Sequence, residues 1–513
     1  MRARHFLIVR LHSNSNDSPF AGCGQTTCRT SGMGYRERSS RENRRFWCGQ
    51  RRWMDFGHGL LVMLGGMNAR KLQRLKKDLE AYVADIASGI GRSERKFWCA
   101  TYLRGLLLDG ERKSIEPMAQ RLSAIDRPEK DYVQALQQFV NQSNWEDSLI
   151  RENMRQRIGR TFGHEGTLII DDTGFVKQGK HSVGVARQYS GTLGKVGNCQ
   201  IAVTLQYQVG RSVLGIDAEL YLPEPWTDDA VRMKKSGVPE DIGYRPKWQI
   251  ALELIRRART SGLAGPVLAD SVYGTVTQFR RELDALGMQW CLGIDSTLKV
   301  IDADEDLGEI GLKGTIGRPP VRPRKHIERS VESESVAEWA LARQDAFRKV
   351  TWRQGSKGPM SSRFAVWRVR HAHRTSTGAE PLPACWLIAE WPLGAAAPTK
   401  FFFANLPETT SKKDLVRMVK NRWWIEHSYK ELKDELGLDH FEGRSWRGWH
   451  HHVTLTLLAY AFLVELRQKR GFRPELAQPS PGTSVLPLLL ALPLPHLQQT
   501  ARHRTIEERH ELR

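Results

Sequence analysis

The spacing of apolar residues changes character near residue 167, and helical spacing returns near residue 412. From Met67 onward Leu72, Leu75, Leu79, Val83 and Ile86 recur every three to four positions among charges, the period of an amphipathic helix. Similar patterns over about 93–108, 115–124 and 130–158 predict a mostly helical, basic domain over residues 67–160, expected either to bind DNA or to serve as a plain packing domain. Strand-like patterns take over from Thr167. Leu168-Ile-Ile-Asp171-Asp172 predicts a short strand, and the runs 200–209 and 212–222 alternate well enough to be neighbouring antiparallel strands. A helix over about 246–263, a strand 266–270, a helix 276–286 and a strand 290–294 follow. Strands that first meander and then alternate with helices predict an α/β fold over 161–295, a mixed sheet flanked by helices.

Residues 296–405 break that alternation. A Pro/Arg/Gly-rich stretch begins at Gly317, and the strand-like runs 364–370, 385–391 and 400–405 follow it, so a β-rich insertion is expected. Helices resume from Lys412 and again through 453–470, and 406–472 is expected to complete the sheet domain. The tail 473–513 carries Pro at 474, 479, 481, 487, 493 and 495 and is expected to be loosely ordered. The opposite end, 1–66, is expected to be a disordered basic extension. Its first 53 residues are rich in Arg, Ser, Gly and Asn without apolar periodicity. Two readings stay open for it: translation starting at Met54 or Met67, or a flexible basic arm.

Charge narrows the class of partner. The 513 residues carry a net +21; the first 53 hold eleven Lys/Arg against three Asp/Glu, leaving +13 for the other 460. A polyanion is the natural partner of such a chain. Seven cysteines lie scattered without CxxC spacing, which points to a reducing compartment and against a structural zinc site. No run of about 18 apolar residues occurs, so no membrane span is expected.

Three carboxylate positions stand out. Two apolar strands end in Asp, at Asp171-Asp172 and at Asp270, and a predicted helix carries Glu426. On a continuous α-helix Arg422, Glu426, Lys430 and Lys433 would fall within about 80° of one another, with Ile425, Leu432 and Leu436 on a neighbouring apolar face. Carboxylates from separate elements suit hard divalent cations, and a basic rim suits phosphate. The bland alternatives are an Asp pair capping a turn and an i,i+4 surface ion pair for Glu426. The segment 177–195 is rich in Gly and basic residues but lacks P-loop order; it is expected as a hairpin bringing Lys177, Arg187 and Lys195 to a DNA backbone, or as a plain Gly-rich turn. Six aromatics (Trp423, Trp424, Tyr429, Phe441, Trp446, Trp449) lie among cations and could stack bases or fill a core. His450-His451-His452 is not expected to be a metal site, because adjacent helix residues point apart; a phosphate or aromatic contact is expected instead.

Several of these segments match a known family. Asp-Asp-Thr-Gly-Phe (171–175), Ser-Val-Gly-Val-Ala-Arg-Gln-Tyr-Ser-Gly-Thr (182–192), Tyr-Leu-Pro-Glu-Pro-Trp (221–226), Ala-Asp-Ser-Val-Tyr-Gly (269–274) and Glu-Leu-Gly-Leu-Asp-His-Phe-Glu (435–442) resemble the DDE transposases of bacterial insertion sequences, over roughly 67–470. Arg422, Glu426 and Lys433 also resemble the Tyr-Arg-Glu-Lys signature of cut-and-paste members, although Val419 stands where that signature has Tyr. The resemblance implies an RNase H-like catalytic domain interrupted by a β insertion, and Mg²⁺-dependent cleavage and strand transfer at the ends of a mobile element. It further implies two metal ions, with Mn²⁺ able to substitute, held by Asp270, Glu426 and one of Asp171 and Asp172. The family's Asp-any-Thr spacing favours Asp171. Arg422, Lys430 and Lys433 would contact phosphate. The implied partners are double-stranded DNA, as element ends and target, and a second copy in a synaptic dimer, in a cytoplasmic, nucleoid-associated setting. A non-catalytic DNA-binding repressor and a nuclease without strand joining remain as alternatives.

Overall fold

The computed structural model describes residues 69–125, 131–305, 333–355, 358–372 and 383–469. The expectations for 1–66, for the Pro/Arg/Gly-rich stretch from Gly317 and for the tail 473–513 lie outside the described residues.

Among the described residues five α-helices precede the first strand: α1 (Ala69–Ile86), α2 (Ser93–Leu107), α3 (Ile115–Ile125), α4 (Tyr132–Asn141) and α5 (Asp147–Phe162). The helical pattern of 130–158 is thus two helices. Between them Trp145 turns inward, donating its indole N–H to Phe139 O at 3.3 Å. Asp131 starts α4 by accepting the amide of Gln134, as an N-cap aspartate does.

The sheet is built around β1 (Thr167–Val176). β3 (Lys195–Val209) pairs antiparallel with it from Thr167↔Gln208 to Val176↔Cys199, and β4 (Ser212–Tyr221) pairs antiparallel with β3. β2 (Ala186–Ser190) pairs with the first residues of β3. On the other side of β1, β5 (Val267–Ala269) and then β6 (Trp290–Ile294) run parallel to it. α6 (Lys247–Thr260), the short α7 (Ser271–Gly274) and α8 (Thr277–Ala285) connect these strands. Three antiparallel strands beside two parallel ones, with the first strand central, make an RNase H-like α/β core.

The β-rich segment joins this same sheet instead of forming a separate one. β7 (Lys299–Asp302), β8 (Glu334–Ser335), β9 (Arg348–Gly355), β10 (Gly358–His371), β11 (Cys385–Trp391) and β12 (Lys400–Ala404) extend it, β12 pairing antiparallel with β6. A short helix, α9 (Val336–Ala342), follows β8. Helices α10 (Lys412–Asn421) and α11 (Trp424–Lys430) then cover one face, and a π-helical turn over Glu431–Glu435 follows α11 directly.

The last described helix, α12 (Trp446–Lys469), is buried around almost its whole circumference, as a helix apolar on all sides must be. It packs against β4, α2, α4 and α5. Its three histidines point to three different places. His450 lies tilted against Trp446, His451 lies 3.6 Å from the Trp145 ring between the carbonyls of Val140 and Trp145, and His452 stacks on Phe441. They are aromatic and hydrogen-bonding core groups. Buried as they are, none offers itself to a phosphate.

His452 gives the fold an acid limit. Its Nδ1 lies 2.8 Å from Tyr102 Oη and its Nε2 lies 3.0 Å from Gly437 O, an arrangement satisfied by a neutral ring that accepts from Tyr102 and donates to the carbonyl. Burial pushes its pKa down to about 4. The unfolded chain, with an ordinary imidazole near 6.5, therefore binds the proton first as pH falls. Stability is full above pH 6.5 and drops by about 3 kcal/mol from this group between 6.5 and 4. Urea unfolding at pH 7 and pH 4.5 checks it; a His452→Gln variant is expected to show a flatter pH dependence over that window.

Candidate active site

Alternation along β1 separates the two adjacent aspartates. Ile169 belongs to the cluster formed with Leu268, Val419 and Ile425, and Asp171 points to that same side. Ile170 and Asp172 face the other way. β5 ends at Ala269 and hands the chain to Asp270, whose Oδ1 accepts the Val272 amide at 3.1 Å and so caps α7. The β1–β5 register pairs Leu168 with Val267 and Ile169 with Leu268. Carried two residues on, it sets Asp171 beside Asp270. A single guanidinium joins them: Arg422 Nη2 is 2.9 Å from Asp171 Oδ1 and 3.7 Å from Asp270 Oδ2.

The electrostatics follow from that placement. Burial, reinforced by the charge of Asp270 and opposed by Arg422, raises the Asp171 carboxyl to about 7. Asp270 is raised as well, again chiefly by burial. Desolvation works against the Arg422 cation, but the two aspartates outweigh it and hold its pKa above the usual arginine value. Two hard oxygen donors, partly withdrawn from water and sharing one positive charge, fit a divalent cation by their chemistry.

The helix expected to run from Arg422 to Lys433 is irregular: Arg422 and Trp423 keep helical dihedrals but lie in a tighter i→i+3 turn, and a π turn follows Lys430. α10 stops at Asn421 and Arg422 is its cap residue; α11 begins only at Trp424, and the π turn begins at Glu431. The π turn lies beyond Lys430, so it shifts the angular register of Lys433 relative to Arg422, Glu426 and Lys430. Arg422 reaches the aspartates. Glu426 is solvent-exposed and lines the same cleft as Asp270 and Arg422, while Lys430 is exposed. Lys433 points to the far end of β1, donating to Gly174 O at 2.9 Å and Thr192 Oγ1 at 3.0 Å, and burial lowers its pKa. Among the described residues no three acidic, imidazole or thiol groups gather closely enough to hold a metal ion, so Glu426 is not drawn in with the aspartates.

The cleft, of about 440 Å³, lies between the carboxylates and the β9–β12 part of the sheet. Arg353 on β9 sits 4.8 Å from both the Trp423 and Trp424 rings, and Trp423 is 43% exposed. Of the six aromatics near Glu426, Phe441, Trp446 and Trp449 are core residues. The partly buried Tyr429 hydrogen-bonds Thr204 Oγ1, which in turn donates to Asp171 O at 3.3 Å.

The segment 177–195 is a hairpin only from Ala186 onward. Lys177 is half-buried at its root, its ammonium 2.5 Å from Phe441 O, and burial lowers its pKa. Arg187 and Lys195 are exposed, as is Lys180. No acidic residue occurs between Asp172 and Asp217, so the projecting hairpin is purely basic.

Four residues around the carboxylates carry no signal in the composition or the apolar pattern. Lys247 and Tyr273 both bind Asp172, Thr204 supports Asp171, and Arg353 flanks the cleft. Tyr429, named in the sequence only as one of six aromatics, lies one helical turn beyond Glu426 and supports Thr204.

The strand expected to end at Asp171-Asp172 runs on to Val176, so Asp171 sits in the middle of β1, just past its pairing with β5, while Asp270 follows the end of β5. An RNase H-like sheet with aspartates side by side on two adjacent parallel strands, beside a cationic cleft, defines a class of phosphodiester-processing folds. The comparisons with known proteins agree with it. Residues 85–359, more than half of the chain, match the family model described as DDE superfamily endonuclease, and the chain belongs to that family. It is also similar to a probable transposase for insertion sequence element IS701 from Microchaete diplosiphon, at 26% identity over 355 residues, covering 68% of this chain and 77% of that protein.

Proposed function

We propose that this protein is a transposase that binds the terminal inverted repeats of an insertion sequence, cleaves DNA at the element ends and joins them to a target. The observation that carries the reading is the pairing of Asp171, in the middle of β1, with Asp270, at the end of the adjoining β5, through Arg422. In this reading Asp171, Asp270 and Glu426 hold divalent cations, Mg²⁺ or in its place Mn²⁺. Such ions would activate a water or a DNA 3′-OH and stabilise the leaving oxygen. Glu426 has to move toward the aspartates, and a scissile phosphate arriving in the cleft would draw Arg422 off them. Arg422 and Lys430 then face phosphate, and Arg187 and Lys195 grip the flanking duplex from the hairpin. Lys177 and Lys433, each tied to a backbone carbonyl, secure the hairpin to the segment carrying Glu426. A dimer pairing two ends, and the cut-and-paste route of the Tyr-Arg-Glu-Lys branch, complete the proposal.

A second reading, a non-catalytic DNA-binding protein acting as a repressor, draws support from one observation: Glu426 lies apart from the aspartates. Incubating the protein with labelled duplex carrying the element's own ends separates the two. The proposal expects a free 3′-OH at the element end in Mg²⁺ and only binding in EDTA. End-specific binding without cleavage in either Mg²⁺ or Mn²⁺ favours the repressor.

A further inference from the structure

We infer that Asp172 is a positioning residue: gripped by Tyr273 and Lys247, its carboxylate sets the separation of Asp171 and Asp270. The inference rests on the proposal that those two aspartates are metal ligands.

The backbone alone leaves that separation weakly determined. β5 is only three residues long, and its ladder with β1 consists of Leu168↔Val267 and Ile169↔Leu268. The pairing stops short of both aspartates. From there the middle of β1 and the end of β5 are joined by side chains, on both faces of the sheet. On one face the link is Arg422, a long side chain at the junction of two helices that the proposed mechanism requires to move. On the other face Tyr273 Oη donates to Asp172 Oδ1, and Lys247 Nζ pairs with Asp172 Oδ2.

Each partner is itself anchored. Tyr273 is fully buried and belongs to α7, the turn that Asp270 caps. That turn is pressed onto β6: a Cβ on Gly274 would lie 2.0 Å from Gly293 O, so the close approach requires glycine. Arg280 holds the Gly274 carbonyl from α8. Lys247 is the first residue of α6 and also lies 5.5 Å from the Tyr221 ring. The Asp172 carboxylate therefore transmits two fixed positions, α7 and the start of α6, to the residue next to Asp171. A link that holds the donors but does not touch the cation is the kind of outer contact whose loss typically lowers metal affinity or activity about 10- to 100-fold.

The test uses the full chain with Tyr273→Phe, which removes one oxygen and keeps the ring, and Asp172→Asn as a second variant. Mn²⁺ binding is followed by electron paramagnetic resonance, beside thermal unfolding, end binding and the Mg²⁺ dependence of end cleavage. Both variants are expected to bind Mn²⁺ about 10-fold more weakly and to need correspondingly more Mg²⁺ for cleavage, with end binding within about twofold of wild type. Excess metal is expected to restore much of the Tyr273→Phe rate. Unchanged Mn²⁺ affinity in both variants overturns the inference, and so does a fall in melting temperature and end binding that excess metal does not relieve. A wild type that binds Mn²⁺ without cutting contradicts only the transposase reading, since the Mn²⁺ comparison still decides the role of Asp172. A wild type that takes up no Mn²⁺ overturns both.

Discussion

Asp270→Ala is expected to lower the rate of DNA end cleavage by a factor on the order of 10³ or more, while end binding stays within a few-fold of wild type. A factor of 10³ is about 4 kcal/mol of transition-state stabilisation, a plausible loss when one of very few cation ligands is removed. Binding is expected to survive because the proposed DNA-gripping residues, Arg187 and Lys195, lie on a hairpin formed by β2 and β3. The substitution also removes the cap of α7, so Asp270→Asn, which keeps an acceptor for the Val272 amide, serves as the control. Both variants are measured in single-turnover cleavage beside a gel-shift titration. Cleavage by either at the wild-type rate would show that Asp270 holds no catalytic ion.

The largest effect on stability is expected away from the cleft, at Asp217. This β4 carboxylate has a fully buried side chain among three arginines: Arg151 Nε at 3.0 Å, Arg155 Nη1 at 2.8 Å and Arg257 Nη1 at 4.0 Å. Asp217→Ala leaves Arg151 and Arg155 buried with one fewer counter-charge. Asp147 and Glu219 compensate in part, through the ion pairs Arg151–Asp147 at 2.7 Å and Arg257–Glu219 at 3.0 Å. Breaking a buried pair by removing one partner costs about 3–5 kcal/mol, and a loss in that range is expected in urea unfolding. A cost below about 1 kcal/mol would mean that the arginines find water or other acids at once. Through β4 and β3 this network adjoins β1, on the opposite side of the sheet from Arg422.

Much of this architecture is legible in the chain because strands and helices differ in apolar period. The strands carrying Asp171 and Asp270, the neighbouring pair β3–β4, and the helices on either side of β5 follow from that pattern alone. Two features do not. The segment 296–405 shows strands in its sequence, but nothing local says that β12 will pair with β6 and continue the same sheet. The tightening at Arg422 and Trp423 is likewise invisible, since Asn421-Arg422-Trp423-Trp424 contains neither Gly nor Pro to disturb a helix. Tertiary demand shapes that junction: Arg422 turns to the aspartates, while Val419 and Ile425 on either side of it enter the same buried cluster. For the candidate site, the acidic positions stand out as polar ends of apolar strands. Their supports, Lys247, Tyr273 and Thr204, come from elsewhere in the chain and become meaningful only once the sheet has assembled.

Glu426 is the residue on which the whole account turns, because it shares the cleft with Asp270 and Arg422 yet stands apart from the aspartates. The most direct measurement is Mg²⁺-dependent cleavage of labelled end DNA by wild type and by Glu426→Ala, with end binding followed in the same reactions. The account predicts cutting at the element end by wild type alone and equal binding by both. Cutting by Glu426→Ala at the wild-type rate would contradict it.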